Sequence, residues 1–206
     1  MRTASRGIIT AVVLVLTMTV SGPAQAAKEP GLKALADRAM LGKLTAVDRS
    51  YLDRHPEIAG ILIDGTKTEI GEVPMSETQT AEVFGDVVAA ATTCAATDRY
   101  QIFKSLLGSI IFRYHSYVAW CWSGTTTTVS KHYPYLDMIQ NVVVNKGVTV
   151  QEVRKSNSAT YTTHHQNYIQ LCTLGKSLGS ICYDNVYPTN WVTVSNKTGS
   201  TFKYSN

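Results

Sequence analysis

The segment LCTLGKSLGSICY, residues 171–183, constrains the chain more tightly than any other. Antiparallel pairing across it sets Cys172 opposite Cys182, Leu174 opposite Ser180 and Gly175 opposite Gly179, leaving Lys176 to Leu178 as a glycine-flanked turn. Directly opposed cysteines on neighbouring strands bring their Cβ atoms within bridging range. A disulfide here fixes the hairpin register, and loop-closure entropy gives it a worth of about 2.7 kcal/mol.

The chain has four cysteines, the other two being Cys94 and Cys121, and none lies in a CxxC pair. Their redox setting follows from the N-terminus. Arg2 and Arg6 precede an apolar run from Ile8 to Val20, and Ala24-Gln25-Ala26 supplies a small-x-small exit. That order predicts a signal peptide over 1–26. The run is too short for the ~20 residues that span a bilayer, and no later segment is apolar enough to do so. An even cysteine count in an exported chain predicts two disulfides. Three connectivities are possible in principle; with Cys172 and Cys182 paired, Cys94 and Cys121 follow by elimination.

Charge divides the remaining chain. Residues 27–97 hold 11 acidic and 7 basic side chains, whereas residues 98–206 hold 4 acidic and 10 basic. The acidic part reads as a helical segment. Leu32, Leu35, Ala36, Ala39 and Met40 recur at helix spacing, Thr45 and Asp48 suit a helix start, and Pro56 fits a first helical position. KTEIGEVP reads as a loop or short strand, and Ser76-Glu77-Thr78-Gln79 as a capping box for a further helix ending near Cys94. From about Ser109, β-branched and aromatic residues alternate between turn signals, which predicts an antiparallel sandwich or barrel over 98–206.

Along IIFRYHSYVAWCWSG, residues 110–124, alternation puts Ile110, Phe112, Tyr114, Ser116, Val118, Trp120 and Trp122 on one face and His115, Tyr117, Ala119 and Cys121 on the other. The tryptophan face is the expected core, since burying each such side chain contributes about 1.5–3 kcal/mol. Cys121 then faces outward, where a helix carrying Cys94 could reach it. In NWVTVSNKTG, Val192 and Val194 share one face while Trp191, Thr193, Ser195 and Lys197 share the other.

Catalytic constellations are not apparent. There is no GxSxG elbow, HExxH, phosphate loop or dinucleotide fingerprint, and the basic part offers only Asp98, Asp137, Glu152 and Asp184 as carboxylates. His164 and His165 point to opposite faces if they lie on a strand, so the pair reads as solvated rather than metal-binding. No cofactor is implied. Trp191, Tyr187 and Lys197 are the candidate ligand-binding residues. The dispersed lysines supply a positive field suited to an anionic cell-envelope polymer or another extracellular protein, and nothing resembles an RNA-binding signature.

LLGSIIFRYHSYVAWCWSG followed by YIQLCTLGKSLGSICYDNVYPTNWVTVSNKTGS resembles small exported β-sandwich proteins of actinobacteria, over roughly the last 90 residues. The resemblance implies an antiparallel sandwich and an extracellular location, but no activity.

The sequence therefore predicts an α+β protein: an N-terminal helical segment followed by an antiparallel β-sandwich with two disulfides. The expected role is non-enzymatic binding at the cell envelope or outside the cell. Two alternatives stand beside it. One is a bacteriocin-like or membrane-active toxin with an acidic prosegment, motivated by the opposite charge of the two parts. The other is a protease inhibitor presenting Lys176 at the hairpin tip, or an enzyme of unrecognised type.

Overall fold

The computed structural model describes residues 30–75, 93–175, 179–197 and 199–206. The predicted signal peptide, the capping box at Ser76 and the hairpin tip at Lys176 lie outside the described residues.

The described residues begin with three short helices. α1 (Leu32–Met40) buries Leu35, Ala36 and Ala39, the stripe its periodicity predicts. α2 (Ala46–Arg54) begins with a full capping box: the Asp48 amide donates to Thr45 Oγ1 at 3.1 Å, and the Thr45 amide donates to Asp48 Oδ2 at 2.9 Å. Arg38 of α1 donates two further bonds to the same carboxylate, at 2.7 and 2.6 Å, and locks the helices together. That contact is the chief reason the Asp48 pKa falls to about 2. α3 (Pro56–Ala59) opens on Pro56, where a missing N–H costs nothing. Gly65 then passes so close to α1 that a Cβ there would lie 1.8 Å from the Met40 carbonyl oxygen.

Among the described residues, nine strands follow in two antiparallel sheets. The first has the order β1 (Glu69–Pro74), β2 (Thr93–Lys104), β3 (Ile110–Ser123) and β4 (Thr126–Met138). The second has β5 (Val143–Asn157), β6 (Thr160–Gly175), β8 (Thr189–Ser195) and β9 (Ser200–Ser205), with β7 (Gly179–Val186) also on β6. β7 and β8 both pair with β6, at 169–175 and 160–166 respectively, and Tyr187-Pro188 separates them.

Sheet structure begins well before Asp98. KTEIGEVP supplies β1, and Cys94 sits on β2 rather than at a helix end. Cys94 is directly opposite Cys121 in the β2–β3 register, and the two are bridged with a Cα–Cα distance of 4.0 Å. The pairing expected by elimination is present, but it ties adjacent strands instead of clipping a helix to a sheet. Cys172 and Cys182 are bridged as the hairpin reading requires, with Leu174 opposite Ser180 and Gly175 opposite Gly179.

The tryptophan face of β3 does enter the core: Phe112, Tyr114, Val118 and Trp120 are buried. That core has two apolar parts. One packs α1 to α3 against Phe103, Phe112, Tyr114, Ile169 and Leu171; the other holds Val118, Trp120, Val192 and Val194. Between the sheets runs a buried polar chain. His165 Nδ1 faces Ser116 Oγ at 2.9 Å, Asn190 Nδ2 donates to the same hydroxyl at 3.0 Å, and Gln101 Nε2 donates to Asn190 Oδ1 at 2.5 Å. The expectation of a solvated His164–His165 pair fails at His165, which is fully buried here.

Candidate functional site

The outer face of the second sheet carries Trp191 and Tyr187, two of the three candidate ligand-binding residues expected from sequence. Glu152 on β5, His164 on β6, Trp191 on β8 and Lys203 on β9 are successive cross-strand neighbours and form one row across the sheet. Their alternation with buried Val192, Val194, Thr163 and His165 turns all four outward. The His164 ring stacks on Trp191 with centroids 5.0 Å apart and 15° between planes. Its Nδ1 lies 2.9 Å from Glu152 Oε1, and Arg154 holds the same oxygen at 2.6 Å. These two partners keep the Glu152 carboxyl below its ordinary pKa, His164 contributing most.

Tyr187 occupies the break between β7 and β8 and stacks on Tyr168 of β6, 5.1 Å away and 7° from parallel. Tyr168 is four residues along β6 from His164, a separation of about 13 Å at ~3.3 Å per residue. Gln166 lies between them and donates to Thr189 Oγ1 at 2.9 Å. Trp191 and Tyr187 thus belong to one face. Lys197 does not join them: it lies beyond the end of β8, where its carbonyl accepts a bond from the Trp120 indole at 3.1 Å. The cationic neighbour of Trp191 is Lys203.

A second constellation on the outer face of the first sheet escaped the sequence reading. Tyr100, His115 and Tyr135 are cross-strand neighbours on β2, β3 and β4, and Asp98, Tyr117 and Tyr133 form the adjoining row. His115 is sandwiched between Tyr100 and Tyr135, with centroids 4.7 and 4.3 Å away. Asp98 Oδ2 receives both His115 Nδ1, at 2.9 Å, and the Tyr135 hydroxyl. Gly71 on β1 leaves room for the Tyr100 ring, whose Cζ would stand 2.2 Å from a Cβ at that position. The result is that His115, Tyr117 and Asp98 are buried although they face away from the sandwich core. Burial pushes the Tyr117 pKa up to about 12, with Tyr133 and Asp98 adding to the effect. The available signal was the pair of i, i+2 aromatic repeats, His115-Ser116-Tyr117 and Tyr133-Pro134-Tyr135, each placing two rings on one face.

The inter-sheet polar chain reaches the β4 edge through His132, whose Nδ1 is 3.0 Å from His165 Nε2. Ser116, His165 and His132 have the composition of a hydrolytic relay, but Ser116 is completely buried between the sheets. No group of three or more metal-ligating side chains occurs among the described residues. Nor, among them, is any helix long and apolar enough to cross a membrane. The chain matches no protein-family model, no curated protein and no solved structure, so its own geometry carries the functional reading.

Proposed function

We propose that the protein is secreted and serves as a non-enzymatic binding protein at the cell envelope or outside the cell, with the outer face of the second sheet holding an anionic envelope polymer. The observation that carries this reading is the Glu152–His164–Trp191–Lys203 row together with the Tyr168–Tyr187 pair on the same face. Aromatic rings offer apolar surface to sugar rings, while Gln166, Thr162 and Thr193 offer hydrogen bonds to hydroxyls. Arg154 and Lys203 flank the stripe with positive charge, and Glu152 is engaged by Arg154 and His164. Two disulfides and the signal-like N-terminus support export.

The prosegment alternative fits the chain less well. Cleavage between Thr97 and Asp98 would take β1 and the start of β2, with Cys94, out of the four-stranded sheet, while the bridge to Cys121 kept the pieces joined.

Co-sedimentation with insoluble cell wall at low salt tests the proposal. The expected result is depletion of the protein from the supernatant, reversed by raised salt as exposed charges are screened. Retention of all protein in the supernatant at low salt would count against it.

A further inference from the structure

We infer that the Asp98 cluster on the first sheet is a second binding site, one that takes a primary ammonium group. Three polar atoms in this cluster, Asp98 Oδ1, His115 Nε2 and the Tyr117 hydroxyl, are buried without a hydrogen-bond partner among the described residues. Their side chains are each more than nine-tenths buried. Buried polar groups are ordinarily paired, so three orphans in neighbouring side chains of one face require a missing partner.

The chemistry of the orphans selects that partner. A neutral His115 that gives its Nδ1 proton to Asp98 presents a lone pair at Nε2. Asp98 Oδ1 is an acceptor, and the Tyr117 hydroxyl can accept as well. The cluster is therefore short of donors and carries a carboxylate. An ammonium group brings three donors and the compensating charge. The walls suit a cation too, because the faces of Tyr133 and Tyr135 attract positive charge, and Lys131 Nζ already stands 5.5 Å over the Tyr133 ring. Tyr133 and Tyr135 are 37% and 40% exposed, with centroids 6.1 Å apart, so they form the side from which a ligand approaches. The Tyr135 hydroxyl donates to Asp98 Oδ2, so Oδ1 is the carboxylate oxygen left for the incoming donor. The site is independent of the Trp191 face, and its ligand is of opposite charge.

The test uses the full oxidised chain, ¹⁵N-labelled and titrated with propylammonium, 1-propanol and tetramethylammonium. Propylammonium is expected to give saturable shifts at Tyr117, Tyr133 and Tyr135, and to move the His115 Nε2 resonance from its free lone-pair position to a hydrogen-bonded one. Neither 1-propanol, which lacks charge, nor tetramethylammonium, which lacks donors, is expected to saturate in the same range. Asp98→Asn should weaken propylammonium by about tenfold or more, the scale of a lost charge-assisted hydrogen bond. Should Asp98→Asn fail to fold, Tyr117→Phe keeps the stack of this ring on Tyr133, 4.8 Å away, and is expected to weaken binding a few-fold. Trp191→Ala should leave the titration unchanged. Absence of saturable shifts, equal binding of either control ligand, or unchanged affinity in a folded Asp98→Asn or Tyr117→Phe protein overturns the inference.

Discussion

Mild acid should loosen this sandwich through His165. Its ring is fully buried between the sheets, with Nδ1 on Ser116 and Nε2 on His132. Burial, reinforced by His132 and His164, lowers its pKa to about 3. In the unfolded chain a histidine titrates near pH 6.5. Between those values the unfolded state binds a proton that the folded state refuses, so stability is complete above about pH 6.5 and falls as the pH drops. The slope is about 1.4 kcal/mol per unit, giving a loss of about 2.7 kcal/mol by pH 4.5. His132, whose pKa burial also lowers, acts with the same sign. Asp48 acts in a different window: its folded pKa is about 2, so its contribution is present above the unfolded value near 3.9 and is lost below it. Urea denaturation of the oxidised protein at half-unit steps from pH 7 to 4.5 measures the slope. His165→Gln should be less stable at pH 7, having lost its two hydrogen bonds, yet show a clearly shallower decline across the same range. Equal slopes in the two proteins, or no decline in the parent, would refute the assignment to His165.

Other consequences follow from particular contacts. Replacing both Cys172 and Cys182 by Ala should lower unfolding stability by about 2.7 kcal/mol, and replacing both Cys94 and Cys121 by about 3.6 kcal/mol, because the cost grows with the logarithm of the loop length. Guanidinium denaturation of the two double variants checks that order, and a larger loss from the Cys172–Cys182 pair would contradict it. Gly65→Ala should cost about 3 kcal/mol, because the new Cβ meets the rigid Met40 backbone, whereas Gly108→Ala, at φ +85° with nothing within 4 Å, should cost only the roughly 1 kcal/mol of its left-handed backbone.

Local rules carried much of the fold. The Cys172–Cys182 register follows from glycine placement, the α1 stripe from helix spacing, and the Val192–Val194 core face from strand alternation. TCAATD continues the alanine-rich run before it and has no large β-branched or aromatic side chain, so sequence alone places Cys94 at a helix end rather than on β2. The polar chain between the sheets was not legible because its members meet across the fold: Ser116 and His165 are 49 residues apart, and Gln101 and Asn190 are 89. The Asp98 cluster was hidden for a related reason. Alternation assigns His115 and Tyr117 to an outward face, where the tyrosines of β2 and β4 on either side cover them. Trp191 and Tyr187 were legible as outward aromatics, but the partners that make them a stripe, His164 and Tyr168, lie on β6 and needed the register.

The most direct test of the binding role is to follow the three tryptophan indole N–H signals by NMR while soluble fragments of anionic cell-wall polymer are added to the full oxidised chain. Trp120 is buried with its indole bonded to the Lys197 carbonyl, whereas Trp191 lies on the outer face beside His164 and Lys203. The account predicts a saturable, salt-sensitive shift of the Trp191 signal with Trp120 unmoved, and at least about tenfold weaker binding in Trp191→Ala, as expected of an aromatic anchor. Binding that leaves the Trp191 signal in place, or that survives Trp191→Ala undiminished, would contradict it.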